Sequence, residues 1–229
     1  MTFTPLDLPQ GIIQLITDEL PSPADFILHQ NLISHSKGAQ GSKTNYSVCV
    51  RRMGEMAGYS IEAPEELWQS YIRRCFFFEP EESGLRPIFN VVFEVLKECT
   101  PDSLIILDDV SMLEWIGVSA LEILRFCRAL RAQCIKHRAT LLIRHHLVVH
   151  DKPDQLFRDL LQLATYHVDV RPLASGRSGA VSGEVALHLS PNGLSPASVK
   201  PVSRSRAVQY RLTDSASVFF ERGNSRGVL

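Results

Sequence analysis

The chain has 229 residues, of which 45% are hydrophobic and 21% charged, and its formal net charge at pH 7 is −1. This is the composition of a globular protein with enough apolar material for one α/β core, so we expect residues 1–229 to form a single domain. No apolar run approaches the roughly 18 residues that cross a bilayer, and the first residues do not resemble a signal peptide, so we expect an intracellular protein without membrane contact.

Strand and helix patterns alternate along most of the chain, which favours a parallel or mixed sheet flanked by helices. The clearest helix is Pro87–Cys99, where apolar residues recur at spacings of three and four. The predicted elements of this part are, in chain order, strand Ile12–Ile16, helix Asp25–Ser34, strand Tyr46–Val50, short helices near Arg51–Gly58 and Pro64–Arg73, strand Cys75–Phe78, helix Pro87–Cys99, strand Leu104–Leu107, helix Val118–Cys134, strand Thr140–Ile143 and helix Asp154–Ala164.

The pattern changes after the last of these helices, because turn residues rather than helices now connect the strands. This predicts antiparallel strands added to a parallel sheet. Segments near 36–45, 175–183 and 190–205 are rich in Ser, Gly or Pro, and we expect them to be mobile loops. The predicted strands are His167–Val170, Glu184–Leu189, Ala207–Leu212 and Ser217–Phe220.

The apolar strand Leu104–Leu107 runs directly into two carboxylates, Asp108 and Asp109. A buried parallel strand that ends in acids is where nucleotide hydrolases hold Mg²⁺. Such an enzyme also needs a G-x-x-x-x-G-K-[ST] loop after its first strand, since backbone N–H groups of that loop cradle the phosphates. Here Thr17–Ala24 follows the first strand with two acids, two prolines and no glycine, so we expect no phosphate-binding loop.

A second segment, Gly38–Thr44, contains Gly, Lys and Thr but does not match the phosphate-binding motif. Ser42 stands where the second glycine is required, and Lys37 stands where the first is required. The segment also follows a helix and precedes a strand, which is the reverse of the motif's order. We therefore interpret it as a connection.

A parallel α/β core with an acidic strand end and closing antiparallel strands resembles the RecA-like ATPase fold. Two stretches within it resemble the Elongator complex protein 6 family, namely SLIILDDVSMLEWIGVSALEILRFCRALR and the C-terminal VQYRLTDSASVFFERGNSRGVL. The order of the elements between them also fits, and the phosphate loop is missing in that family too. One departure is that Val50 passes directly into Arg51, so the segment after the second strand is about a dozen residues shorter than in RecA-like domains.

The resemblance implies a non-catalytic subunit without a cofactor, in the cytoplasm and also in the nucleus. It would join the other two RecA-like Elongator subunits, four and five, in a heterohexameric ring with two copies of each. The ring would bind tRNA and support modification of the wobble uridine, whose chemistry belongs to the catalytic Elongator subcomplex. Apolar candidates for a subunit interface are Trp115, Phe219 and Phe220, of which alternation puts only one phenylalanine in the core.

The acidic pair has two readings. Asp108 and Asp109 could ligate Mg²⁺, but without a phosphate loop the metal has no triphosphate to bridge. We expect them to be remnants of a Walker-B-like pair that now cap backbone groups or the following helix. Glu114 is a possible base for water activation, although its apolar neighbours favour a contact surface.

A metal site is not favoured by the sequence. His145 and His146 are adjacent and would point to opposite faces of a strand, which leaves His145, His146 and His150 unable to converge on zinc. The five cysteines are an odd number without any C-x-x-C pair, so neither zinc nor a disulfide framework is indicated.

Candidate tRNA-binding residues are Arg144, His145, Arg171 and Arg177, which follow consecutive strands where RecA-like rings place loops that face the central channel. Cationic and imidazole groups suit phosphates and unstacked bases, although ordinary solvated loops are an equal alternative. From Arg171 onward the chain has eight Arg or Lys and three Asp or Glu, a separation that can orient an anionic partner or simply be a solvated tail.

Two other functions compete with the ring subunit. One is an active ATPase or kinase of unusual type, which the missing glycines and lysine oppose. The other is a recombination paralogue that acts on DNA, for which a more basic chain is expected.

Overall fold

A computed structural model describes residues 8–38, 47–50, 72–76, 84–98, 103–148, 152–176, 178–193, 199–213 and 216–222. Over these residues the chain forms one nine-stranded sheet in the order β3-β2-β4-β5-β1-β6-β7-β8-β9. The strands are β1 Ile13–Asp18, β2 Ser47–Val50, β3 Ile72–Phe76, β4 Leu104–Leu107, β5 Thr140–His146, β6 Tyr166–Arg171, β7 Gly183–Leu189, β8 Val208–Leu212 and β9 Ser217–Phe220. The helices are α1 Asp25–Gly38, α2 Arg86–Glu98, α3 Ser111–Trp115, α4 Ala120–His137 and α5 Gln155–Leu163.

Strands β1 to β6 are parallel, and β7, β8 and β9 continue the sheet as antiparallel neighbours. Every residue of β1 and β4 is buried because both faces of these central strands are covered, and β4 is accordingly apolar throughout. The predicted mixed sheet with helices on its faces and antiparallel strands at its end is confirmed.

Two apolar cores lie on opposite faces of the sheet. One face packs on α2, α4 and α5, and its buried residues include Leu15, Ile105 and Leu130. The other face packs on α1 and includes Ile16 and Tyr210. Strands β1, β4 and β5 contribute alternate residues to the two cores, so alternation also fixes the face on which the side chains at their carboxyl ends lie.

Several predicted bounds differ from those observed. The predicted strand Cys75–Phe78 is observed earlier, as β3, and includes the last two residues of the predicted helix Pro64–Arg73. The rest of that helix and the helix predicted near Arg51–Gly58 lie outside the described residues. The helix predicted from Val118 begins at Ala120, because Ser119 caps α4 by accepting a hydrogen bond from the Glu122 N–H at 3.2 Å.

The short helix α3 was not predicted, and it places the segment after β4 at one edge of the sheet. Gly117 has a φ of +97° and turns the chain from α3 into α4, a backbone conformation that favours glycine. No helix among the described residues is long and apolar enough to cross a membrane.

Candidate functional site

Polar side chains gather where β1, β4 and β5 end. These strands are neighbours in the parallel sheet, so their carboxyl ends meet at one edge. Asp18 and Arg144 lie two residues beyond Ile16 and Leu142, both in the core that packs on α1, and Asp108 likewise follows Ile106. Alternation therefore directs all three side chains to the α1 face. This is the position at which α/β folds of this kind bind ligands.

Arg144 is the centre of this group. Its Nε lies 3.1 Å from Asp108 Oδ1 and 4.0 Å from Asp18 Oδ2, and its Nη1 lies 2.9 Å from Asp25 Oδ1. Burial by itself would lower the pKa of Arg144, but Asp108, Asp18 and Asp25 raise it above the ordinary value. The guanidinium therefore stays charged and links the ends of three elements that are far apart in the sequence.

Asp18 takes the place that a phosphate group occupies in a nucleotide hydrolase. Its Oδ2 accepts a hydrogen bond of 2.7 Å from the Ala24 N–H, immediately before α1 begins at Asp25. Free N–H groups at the start of a helix after a strand bind anions. Here a carboxylate of the chain itself, which is only 1% exposed, is that anion.

His146 completes the group. Its Nδ1 lies 2.9 Å from Asp18 Oδ1. The hydrogen bond to Asp18 raises the pKa of His146 above its usual value, although burial opposes this. The Asp18 carboxylate is therefore surrounded by a backbone N–H, an imidazole and a guanidinium, all supplied by the same chain.

The acidic pair predicted from the sequence divides into two roles. Asp108 pairs with Arg144, an interaction that the sequence pattern did not indicate. Asp109 has a φ of 59° and accepts a hydrogen bond from the Ser111 hydroxyl, while its carbonyl accepts one of 3.3 Å from the Met112 N–H. The Asp109 side chain thus contacts the first residue of α3, but α3 has no side-chain cap.

Two of the four candidate tRNA-binding residues need correction. The Arg144 side chain is 11% exposed and engaged with carboxylates, and His145 is fully buried on the opposite face, where its Nε2 lies 2.9 Å from Asp154 Oδ2. Neither residue presents its side chain to solvent as the prediction requires. Arg171 is partly exposed, and Arg177 lies outside the described residues.

A second polar cluster, on the antiparallel strands, was missed by the sequence analysis. It consists of the buried acids Asp169 and Glu184 under the cations Arg171, Arg204 and Arg222. The available signal was the alternation of both strands, which places Asp169 with Arg171, and Glu184 with His188, on one polar face of the sheet.

Exposed apolar side chains lie in the connections that leave the same edge of the sheet as the Arg144 group. Leu20 follows β1, Trp115 ends α3 after β4, and Val148 follows β5, with exposed fractions of 84%, 68% and 73%. The other two interface candidates are more enclosed. Phe219 packs near Phe26 in the α1-side core with ring centroids 6.2 Å apart, and Phe220 is half-buried.

The described part of the chain contains no group of three or more His, Cys, Asp or Glu side chains that could hold a metal ion. The thiol of Cys127 is fully buried, and this burial raises its pKa to about 12. Neither observation indicates a metal site or a nucleophilic thiol at the strand ends.

Comparisons with known proteins agree with this architecture. A search of curated proteins finds no match. Among solved structures, the chain is similar to the KaiC-like protein PH0186 from Pyrococcus horikoshii OT3, with a TM-score of 0.58 and 10% sequence identity over 93% of this chain and 90% of that chain. At this identity the likeness concerns the fold alone, which is RecA-like. The family model for Elongation complex protein 6 matches residues 56–214. The chain therefore belongs to the Elongation complex protein 6 family and is an Elongator subunit of RecA-like fold.

Proposed function

We propose that this chain is a non-catalytic member of a heterohexameric ring, with two copies each of this subunit and of Elongator subunits four and five. The ring binds tRNA and supports modification of the wobble uridine by the catalytic Elongator subcomplex. The observation that carries the proposal is the Arg144 group, because it fills with the chain's own charges the place where a catalytic RecA-like subunit needs a nucleotide.

Charge at the strand ends opposes nucleotide binding. Four carboxylates, those of Asp18, Asp25, Asp108 and Asp109, surround Arg144, and His146 adds at most one further positive charge. This leaves an excess of negative charge, and a triphosphate brought to it would be repelled. A metal ion bound to Asp108 would also require the loss of the Arg144 ion pair.

The exposed apolar residues at the same edge support a role in assembly. Large apolar side chains at the surface mark contact sites when they lie close to one another, and Trp is enriched at the cores of protein interfaces. Leu20, Trp115 and Val148 flank the ends of three adjacent strands. A partner subunit that covers this edge would bury them without any need for a nucleotide between the two proteins.

Assembly without nucleotide tests the proposal. The full-length chain and the two partner subunits, each freed of nucleotide, are mixed in buffer with a chelator, and the mass is measured by light scattering. We expect a hexamer that contains two copies of each chain and binds tRNA. A chain that stays monomeric in the presence of both partners, or that joins them only when ATP and Mg²⁺ are added, would overturn the proposal.

A further inference from the structure

The antiparallel end of the sheet carries a cationic face that includes Arg171, Arg204 and Arg222. Register places Arg171 opposite Glu184, and Glu184 opposite Gln209, so that these side chains share one face of β6, β7 and β8. By the same alternation, Asp169 and His188 share it. A hydrogen bond supports this placement on one face, because Gln209 Nε2 donates to Glu184 Oε1 at 3.4 Å.

Two buried carboxylates form the floor of this face. The side chains of Asp169 and Glu184 are 2% and 4% exposed. Arg171 Nε donates to both oxygens of Asp169, at 3.0 and 2.9 Å. Burial tends to raise the pKa of Asp169, but His188 and Arg171 lower it overall, so this carboxylate is ionised at neutral pH.

The cations above this floor are shared between the two acids. Arg222 Nη2 lies 2.8 Å from Glu184 Oε1. Arg204 bridges the pair, with Nη2 3.5 Å from Glu184 Oε2 and Nη1 3.8 Å from Asp169 Oδ2. The cluster is held by charge complementarity across β6, β7, the β7–β8 connection and Arg222, two residues after β9.

Positive charge exceeds negative charge in this cluster of three arginines and two acids. Three guanidinium groups oppose two carboxylates, before any contribution from His188. Burial lowers the pKa of Arg204, and repulsion from Arg171 and Arg222 contributes to this, although Asp169 and Glu184 act in the opposite direction. Approach of an external anion would relieve this crowding, whereas loss of one of the two carboxylates would increase it.

Donors remain for an external anion. Among the described residues, the hydrogen bonds of Arg171 to Asp169 use only its Nε, which leaves its Nη groups for other acceptors. The Arg171, Arg204 and His188 side chains are about one third exposed, and that of Arg222 is 54% exposed. The carboxylates therefore fix the cations in place while part of each cation faces solvent.

We propose that the face formed by Arg171, His188, Arg204 and Arg222 binds the phosphodiester backbone of RNA. The proposal rests on the proposed function, because it assigns part of the tRNA contact to this chain. Guanidinium groups suit phosphates, which they bind through two parallel hydrogen bonds. Arg171 was already a candidate RNA contact from the sequence, whereas His188, Arg204 and Arg222 were not.

RNA is favoured over an acidic protein segment because aromatic rings accompany the cations. His188 is partly exposed, and its ring centroid lies 5.6 Å from that of His167. Phe220 is opposite Gln209 in the register and is half-buried. Unstacked bases pack on His and Phe rings while cations hold the backbone, a combination that a carboxylate-rich peptide does not need.

Two substitutions at a single ion pair test the proposal, because they should act in opposite directions. Arg222→Gln removes a cation that is more than half exposed, whereas Glu184→Gln removes the buried charge that Arg222 and Arg204 neutralise. Binding of a short fluorescent oligouridylate to the full-length chain is followed by anisotropy across a salt series. We expect Arg222→Gln to weaken binding several-fold and to reduce the salt slope by about 0.7. Glu184→Gln should tighten binding several-fold.

Arg128→Gln is the matched control, since Arg128 is an exposed cation on α4 and should leave the affinity unchanged. Circular dichroism and thermal unfolding establish that each variant is folded. If the cluster were only structural, Glu184→Gln would weaken or leave unchanged the affinity for RNA, and this result would overturn the proposal. Competition by polyglutamate as effective as that by oligouridylate would also overturn it, in favour of an acidic protein partner.

The same variants in the assembled ring separate this inference from the proposed function. If the ring forms and binds tRNA with wild-type affinity in both variants, the RNA surface lies elsewhere and the role in the ring is unaffected. Failure of the wild-type chain to join its two partners would contradict the proposed function, whereas the oligouridylate result would still decide whether this face binds RNA.

Discussion

Arg144 Nε lies 3.1 Å from Asp108 Oδ1, so the cation at the end of β5 neutralises the acid that follows β4. In a nucleotide hydrolase an acid at this place holds Mg²⁺. Here its negative charge is already neutralised within the protein. Arg144, which the sequence suggested as an RNA contact, instead forms ion pairs with the carboxylates at the strand ends.

Removal of this guanidinium should destabilise the fold. Arg144→Met would leave buried carboxylates without their cation, and we expect the free energy of unfolding to fall by about 3–5 kcal/mol in urea denaturation. The added change Asp108→Asn should restore part of this loss. As a control, Lys97→Met breaks the exposed pair with Glu94 and should cost less than about 1 kcal/mol. Equal small effects of Arg144→Met and Lys97→Met would contradict this account.

Stability should depend on the protonation of His146. Its pKa is raised in the folded chain, chiefly by the hydrogen bond to Asp18, so the folded state binds the proton more tightly than the unfolded state. The resulting stabilisation is complete below the ordinary value of 6.5 and is lost as pH rises through the raised pKa. Unfolding free energies measured from about pH 6 upward should therefore decline in the wild type, and His146→Gln should remove this part of the decline. An identical pH dependence in both proteins would refute the assignment.

The isolated chain should associate through its apolar edge. We expect poor solubility or concentration-dependent association, which light scattering measures. Trp115→Ser should reduce it, because the side chain is 68% exposed beside the strand ends. Ile135→Ser offers a matched control, since Ile135 is 50% exposed on α4. A soluble wild-type monomer that is indifferent to its partners would count against the interface.

Gly183 should tolerate no side chain. A Cβ at this residue would lie 2.7 Å from the Arg171 carbonyl oxygen and 2.8 Å from the Tyr210 ring. We expect Gly183→Ala to cost about 1–3 kcal/mol of unfolding free energy because buried backbone must shift. The stabilities of both variants are compared by thermal unfolding. At Gly179 a Cβ would meet nothing within 4 Å, so Gly179→Ala should change the stability little.

The sheet could be predicted because its signals are local. The strand Leu104–Leu107 is apolar throughout because both of its faces are buried, whereas the strand around Tyr210 alternates because only one face is buried. The order of such strands along the chain then limits which of them can pair. The start of α4 differs from the predicted one because Ser119 caps the helix, whereas the apolar Val118 before the cap continues the apolar pattern without being helical.

The charge network could not be predicted in the same way. Asp18 and Arg144 are far apart in sequence, and their proximity depends on β1 and β5 being neighbours in the sheet. The sequence placed Asp18 in the turn after the first strand, but it did not show that Arg144 would neutralise the acids. Burial of His145 follows from alternation along β5, once Ile143 is known to lie in the core.

Calorimetric titration of ATP and Mg²⁺ into the full-length chain tests most directly whether the strand ends are closed to nucleotide. Because Asp18 already accepts the Ala24 N–H and Asp108 already pairs with Arg144, we predict no heat of binding at micromolar or lower millimolar nucleotide. A micromolar dissociation constant that disappears in Asp108→Ala would contradict the account, since it would show that Asp108 holds a metal–nucleotide complex rather than the guanidinium of Arg144.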